Sequence, residues 1–141
     1  MSNVLSYLCF DYGLKNIGVA IGNTLTKEAR PITILGAVNG KPRWDELEAL
    51  VEEWQPAAII VGSPIDEDGR PTELSTKAAK FARQIEGRLG LTAKLHDERF
   101  SSKEAKLRAK ESGHKGDFMK QPIDDWAAAI ILESWLSSDH F

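Results

Sequence analysis

Little in this chain invites an oxidising or membrane-bound setting. Cys9 is its one cysteine, so no internal disulfide can form and nothing argues for secretion. It lies in the apolar run Tyr7-Leu8-Cys9-Phe10, where a small core residue is expected rather than a reactive thiol. No apolar run approaches the ~20 residues of a membrane span. Met1-Ser2-Asn3 lacks the basic start of a signal peptide. A cytoplasmic location and no membrane partner are therefore expected. The histidines His96, His114 and His140 have no zinc-like spacing. P-loop, G-x-S-x-G and G-x-G-x-x-G patterns are missing, which removes the commonest nucleotide and serine-hydrolase signatures. No repeat, low-complexity tract or linker interrupts the chain.

A marked excess of positive charge is lacking too. The formal net charge is −3, which taken as a whole argues weakly against a polyanionic partner. Its distribution points the other way. Residues 94–120 hold eight Lys/Arg and five Asp/Glu, whereas residues 1–93 sum to −2 and residues 121–141 to −4. The one basic stretch lies between two candidate catalytic acids.

A length of 141 residues, 42% of them apolar, suits one domain over 1–141 with one ordinary core. Val4–Asp11 reads as a buried strand broken by Tyr12-Gly13, and Ile17–Gly22 as its antiparallel hairpin partner. Pro31–Val38 extends the meander. Trp44–Trp54 has helix spacing and stops before Pro56. Ala57–Gly62 is an apolar run of the kind buried on both sheet faces. Glu73–Leu89 reads as a long helix ending at Gly90, and Leu91–Leu95 as a short strand. A further helix is expected from Ser101 or Ser102 to about Glu111, and a very apolar one from Asp124 to Leu136. Three antiparallel strands followed by parallel crossovers give an α/β fold, a five-stranded mixed sheet flanked by helices. The crossovers would place Val61 and Leu95 at corresponding strand ends. Trp44, Trp54, Trp126 and Trp135 all lie at helix positions with apolar neighbours, so core packing is expected of most of them rather than base stacking.

Three acids occupy telling places. Asp11 follows the first buried strand, at the carboxyl end where α/β sheets carry their ligands. Gly18 allows another backbone or a phosphate to approach. Glu98 follows the later strand in the same way, with Asp97 competing for the inward position. Asp124 opens the apolar helix beside Asp125, and one of that pair is expected to cap it. Carboxylates from two strands and one helix around one point would repel each other unless cations occupied the cluster. Hard oxygen donors select Mg²⁺ or Mn²⁺, and two such ions ~4 Å apart can activate water and stabilise the leaving oxygen of a phosphodiester.

Three blocks then show a family likeness: Phe10-Asp11-Tyr12-Gly13-Leu14-Lys15-Asn16-Ile17-Gly18-Val19-Ala20, His96-Asp97-Glu98-Arg99-Phe100-Ser101-Ser102-Lys103-Glu104-Ala105, and Ile123-Asp124-Asp125-Trp126-Ala127-Ala128-Ala129-Ile130-Ile131-Leu132. Val61-Gly62-Ser63-Pro64 with the later Gly69 is similar to a fourth. Together they resemble the YqgF (RuvX) family of bacterial pre-16S rRNA nucleases and Holliday junction resolvases. The resemblance spans nearly the whole chain. It implies an RNase H-like fold, an acidic triad at Asp11, Glu98 and Asp124 that serves as catalytic group and metal-ligand set, and basic positions at Lys15 and Arg99 near the site. Ser63 stands where the family commonly has a larger apolar residue, and Phe100 where Leu is usual; neither belongs to the triad.

The function expected is metal-dependent endonucleolytic hydrolysis, foremost in 5′-end processing of precursor 16S rRNA, with ribosomal particles as partners. The alternative is resolution of branched DNA. A monomer or a homodimer fits either. Lys15, Arg99, Lys103, Lys106, Lys115 and Lys120 are the expected nucleic-acid contacts, and Lys27 and Lys41 are expected to lie far from them. Two other classes compete. Asp11-x-Gly13 with Gly18 also fits the phosphate-binding start of actin-like kinases, but those need two domains. A non-catalytic nucleic-acid-binding regulator would keep the scaffold without need of all three acids.

Overall fold

A computed structural model describes residues 4–63, 72–97, 107–113 and 124–137. Strands β1 (Ser6–Asp11), β2 (Asn16–Asn23) and β3 (Ala29–Val38) form the antiparallel meander, and a two-residue β4 (Lys41–Pro42) follows. Helix α1 (Trp44–Trp54) leads to β5 (Ala58–Ser63), and α2 (Glu73–Leu89) to β6 (Ala93–Asp97). A helical stretch at 107–111, α3, precedes α4 (Asp124–Ser137). The sheet order is β4-β3-β2-β1-β5-β6. β1 runs antiparallel to β2 and parallel to β5, which runs parallel to β6.

The sheet thus has six strands where the sequence reading expects five. The addition is β4, formed because Val38 and Lys41 pair across Asn39-Gly40. Both turn residues have positive φ, 53° and 79°, as the tight two-residue hairpin turn requires. Gly40 is also packed so closely on Tyr12 that a Cβ there would overlap the phenol oxygen. β6 starts and ends two residues later than the periodicity predicts, yet Val61 and Leu95 are register partners as expected. α1 stops at Gln55, whose φ of 47° turns the chain into Pro56. Thr72 and Ser75 form a reciprocal capping box at the start of α2.

Alternation along the strands sorts the core into two layers. Leu8, Phe10, Ile17, Val19, Ile59 and Val61 pack on the face covered by α1 and α2, with Phe81 and Ile85. Tyr7, Cys9, Ala20 and Ile60 pack on the other face under α4, with Ala128, Leu132 and Trp135. Cys9 is fully buried. Trp135 is buried, while Trp44, Trp54 and Trp126 are partly buried against the apolar clusters. No described helix is long and apolar enough to cross a membrane.

Candidate active site

Asp11 closes β1 and is half-buried. Strand alternation puts it on the face of Tyr7 and Cys9, under α4. Register makes it the centre of a row crossing five strands: Ile34, Gly18, Asp11, Gly62 and His96. Both immediate neighbours of Asp11 in this row are glycines, so no side chain stands directly opposite it on the adjacent strands.

Gly18 explains how the C-terminal helix reaches the site. A Cβ at Gly18 would overlap the Asp124 carbonyl and stand 2.6 Å from the Asp125 nitrogen. Only a bare Cα lets the first turn of α4 settle on β2, beside the cross-strand partner of Asp11. Of the two expected uses of Gly18, the close backbone approach is the one observed. Asp11 and Asp124, 113 positions apart in the chain, are thereby held on the same sheet face at the carboxyl end of β1.

The opening of α4 is electrostatically loaded. Burial pushes the Asp124 carboxyl above its ordinary range, its own backbone N–H lowers it, and the charge of Asp125 raises it again. Burial raises Asp125 too, opposed by backbone N–H groups, among them that of Trp126, which donates to Asp125 Oδ1 at 3.0 Å. Burial here favours the neutral acid, so ionising both side chains in the apo protein is costly.

The donor set fits a hard divalent cation. Asp11 and Asp124 offer oxygen alone, and a cation would offset the cost of their desolvated charges. Among the described residues no group of three His, Cys, Asp or Glu gathers around a common point. Glu98, the expected third acid, lies outside the described residues, as do Arg99, Lys103, Lys106, Lys115 and Lys120. Lys15 is described and exposed, at the turn between β1 and β2.

The structure also assigns work that sequence reasoning missed. Glu133, an acid within the apolar α4, accepts the Ala29 N–H at 3.0 Å and pairs with Arg108 at 2.6 Å. It ties β3 and α3 to the helix that carries Asp124. Its signal was a lone carboxylate on a helix face otherwise given to Ala, Ile, Leu and Trp. Arg108 belongs to the basic stretch but is used in this pair. Lys94, in the same stretch, lies 5.6 Å from the Trp135 ring centroid. His96 Nε2 is 3.0 Å from Ser134 Oγ, which links the end of β6 to α4. Lys27 is remote from Asp11 as expected, in the turn between β2 and β3 where its N–H donates to Asn23. Lys41 is not remote in the way expected: the hairpin returns it to the carboxyl end of the sheet, where Gly40 N–H donates to the Leu14 carbonyl at 2.9 Å.

Against known proteins, residues 5–138 match the RuvX family, described as Holliday junction resolvase. The chain belongs to the RuvX family. A relative from Pseudomonas syringae pv. tomato named "Putative pre-16S rRNA nuclease" is 48% identical over 92% of this chain and 89% of its own length. One of the same name from Azotobacter vinelandii is 44% identical over 97% and 96%. Among solved structures, a fowlpox virus resolvase in complex with Holliday junction DNA aligns with a TM-score of 0.57 at 13% identity, covering 94% of this chain and 97% of that one. Thermus thermophilus RuvC, also in complex with a Holliday junction, aligns with a TM-score of 0.54 at 11% identity over 94% and 93%. At such identities the structural likeness speaks to fold alone, and it agrees with the RNase H-like architecture. Family membership places the chain among the nucleases.

Proposed function

We propose that the chain, acting as one domain, is a divalent-metal-dependent endonuclease that processes the 5′ end of precursor 16S rRNA in the cytoplasm, in association with ribosomal particles. The observation that supports the reading is the seating of the Asp124 backbone on Gly18, the cross-strand partner of Asp11, in a chain whose RuvX relatives are named as pre-16S rRNA nucleases. Asp11, Asp124 and Glu98 would hold Mg²⁺ or Mn²⁺. The family resemblance prefers Glu98 over Asp97, and the described β6 residues Lys94 and His96 contact α4 on the face of Asp11. When bound, the cation supplies water of lowered pKa and neutralises charge on the leaving oxygen. The chain's own contributions are geometric and electrostatic. Gly18 sets the height of Asp124 over the sheet, burial keeps the acids short of water, and Lys15, Arg99, Lys103, Lys106, Lys115 and Lys120 bind the phosphate backbone.

The test offers purified protein precursor 16S rRNA and a four-way DNA junction side by side, with Mn²⁺, with Mg²⁺ and with chelator. Cleavage near the mature 5′ end of the rRNA, lost in chelator, is expected. Cleavage of the junction alone would replace the RNA reading with branched-DNA resolution, by a homodimer spanning two strands. Full activity in chelator would end the metal mechanism.

A further inference from the structure

The sheet extends beyond the ground that α4 covers. The first turn of α4 sits on Gly18, level with Ile34 on β3. Past that row, on Asp11's face, come the pairs Asn16–Gly36 and Val38–Lys41. Paired residues share a face, and the intervening Leu35 and Ala37 point to the opposite layer. Among the described residues nothing covers this strip. Gly36 is exposed, and a Cβ on it would meet no atom within 4 Å. Val38 is 78% exposed. Lys41 is exposed, and Lys15 stands at the border, its carbonyl accepting the Ala37 N–H at 2.8 Å.

The strip is held firmly relative to the site. Tyr12, next in sequence to Asp11, is buried and donates its hydroxyl to the Gly40 carbonyl at 3.0 Å. Strand geometry puts Lys41 about 13 Å ahead of Asp11 along the strands and about 14 Å to its side. That is a span of a few nucleotides rather than of one phosphate. A sheet floor that is bare and free of acidic side chains among the described residues, bordered by lysines and opening toward the carboxylate site, suits an extended polyanion.

We propose that this strip, formed by Asn16, Gly36, Val38 and Lys41 and bordered by Lys15, seats the nucleic-acid strand a few nucleotides from the bond to be cut. The proposal rests on the nuclease reading and adds the direction in which the substrate leaves the site. The strand's phosphates run past Lys15 toward Lys41, and its bases or sugars lie on Gly36 and Val38.

Gly36 gives a test that works in both directions. Its surroundings are empty and its φ is not positive, so either a long acid or a long base fits without disturbing the fold. Binding of a labelled single-stranded RNA is followed by fluorescence anisotropy in chelator, across a salt series. Gly36→Glu is expected to weaken binding about fivefold at low salt, and Gly36→Lys to tighten it and steepen the slope of log affinity against log salt by about 0.7. Lys27→Glu, at the opposite end of the sheet, should change little. Cleavage with Mn²⁺ is measured in parallel: KM should follow the two substitutions in opposite directions while kcat stays near the wild-type value. Movement of both variants in the same direction, or of neither, overturns the proposal, the second outcome leaving the strip to a protein partner. Failure of the nuclease reading looks different, because binding would respond to Gly36 while wild-type protein cut neither substrate.

Discussion

Gly18→Ala isolates the contact that seats the first turn of α4 on the sheet. The added methyl would stand 2.6 Å from the Asp125 nitrogen, and ordinary contact begins at 3.4 Å. The first turn of α4 must therefore rise by at least about 0.8 Å, and by more to clear the Asp124 carbonyl. Backbone has no rotamer to escape into, so the helix tilts and loosens Ala128, Leu132 and Leu136 from the sheet. Overpacking of this kind costs about 1–3 kcal/mol, some 4–10 °C of melting temperature for a chain of this size. Activity should suffer more than stability. An aspartate displaced by ~1 Å from its reacting position costs about 100-fold in rate. The assays are thermal or urea unfolding and single-turnover cleavage with saturating Mn²⁺, with Gly87→Ala in α2 as the control that meets no neighbour. A Gly18→Ala protein that kept its full cleavage rate would refute the reasoning, whatever its melting temperature, because Asp124 would then not be positioned by this contact.

Other outcomes follow from the same geometry. Asp11→Asn, Glu98→Gln and Asp124→Asn should each abolish cleavage and leave the chain folded, with Asp125→Asn much milder; a dead Asp125→Asn beside an active Asp124→Asn would exchange their roles. Because burial holds the Asp124 and Asp125 carboxyls above their ordinary value of 3.8, the folded state binds protons more tightly than the unfolded one. Their contribution to stability is thus full below that value and is lost as pH rises through the raised values of the fold. Asp124→Asn should flatten this fall in urea titrations without metal and stabilise the apo protein at neutral pH; a steeper fall would reverse the assignment. Glu133→Ala strands the part-buried Ala29 N–H and removes the ion pair with Arg108, at a cost of about 1–3 kcal/mol in urea unfolding.

Much of this was written in local pattern. Apolar runs located the central strands because β1 and β5 are buried on both faces and need no alternation. Breaker residues located two helix ends, Pro56 after α1 and Gly90 after α2, whereas the Thr72 cap and the left-handed Gln55 emerged only in the fold. Asp11 and Asp124 were legible because each ends or opens an element whose burial is unambiguous. β4 was not, since two residues carry no periodicity and its existence depends on the Asn39-Gly40 turn. The start of β6 was misplaced because Leu91 packs against the core without pairing. Long-range partnerships were the least legible. Nothing near Glu133 in sequence announces Ala29 and Arg108, and Lys41 looked remote from Asp11 because a hairpin return erases sequence distance.

The dependence of the site on α4 also orders events in time. All six described strands leave the ribosome before the helix that carries Asp124, so the nascent chain can pair its sheet while it still lacks one of the two acids placed on this sheet face. During that interval Cys9, Ala20 and Ile60 have no cover on their face of the sheet, and such a surface is a site for chaperones or for aggregation. On the proposed role of Asp124, cutting competence therefore arrives all at once, when α4 docks. With Asp124 in the proposed site, a nuclease assembled in this order cannot act on RNA around the translating ribosome until α4 has emerged and settled on Gly18.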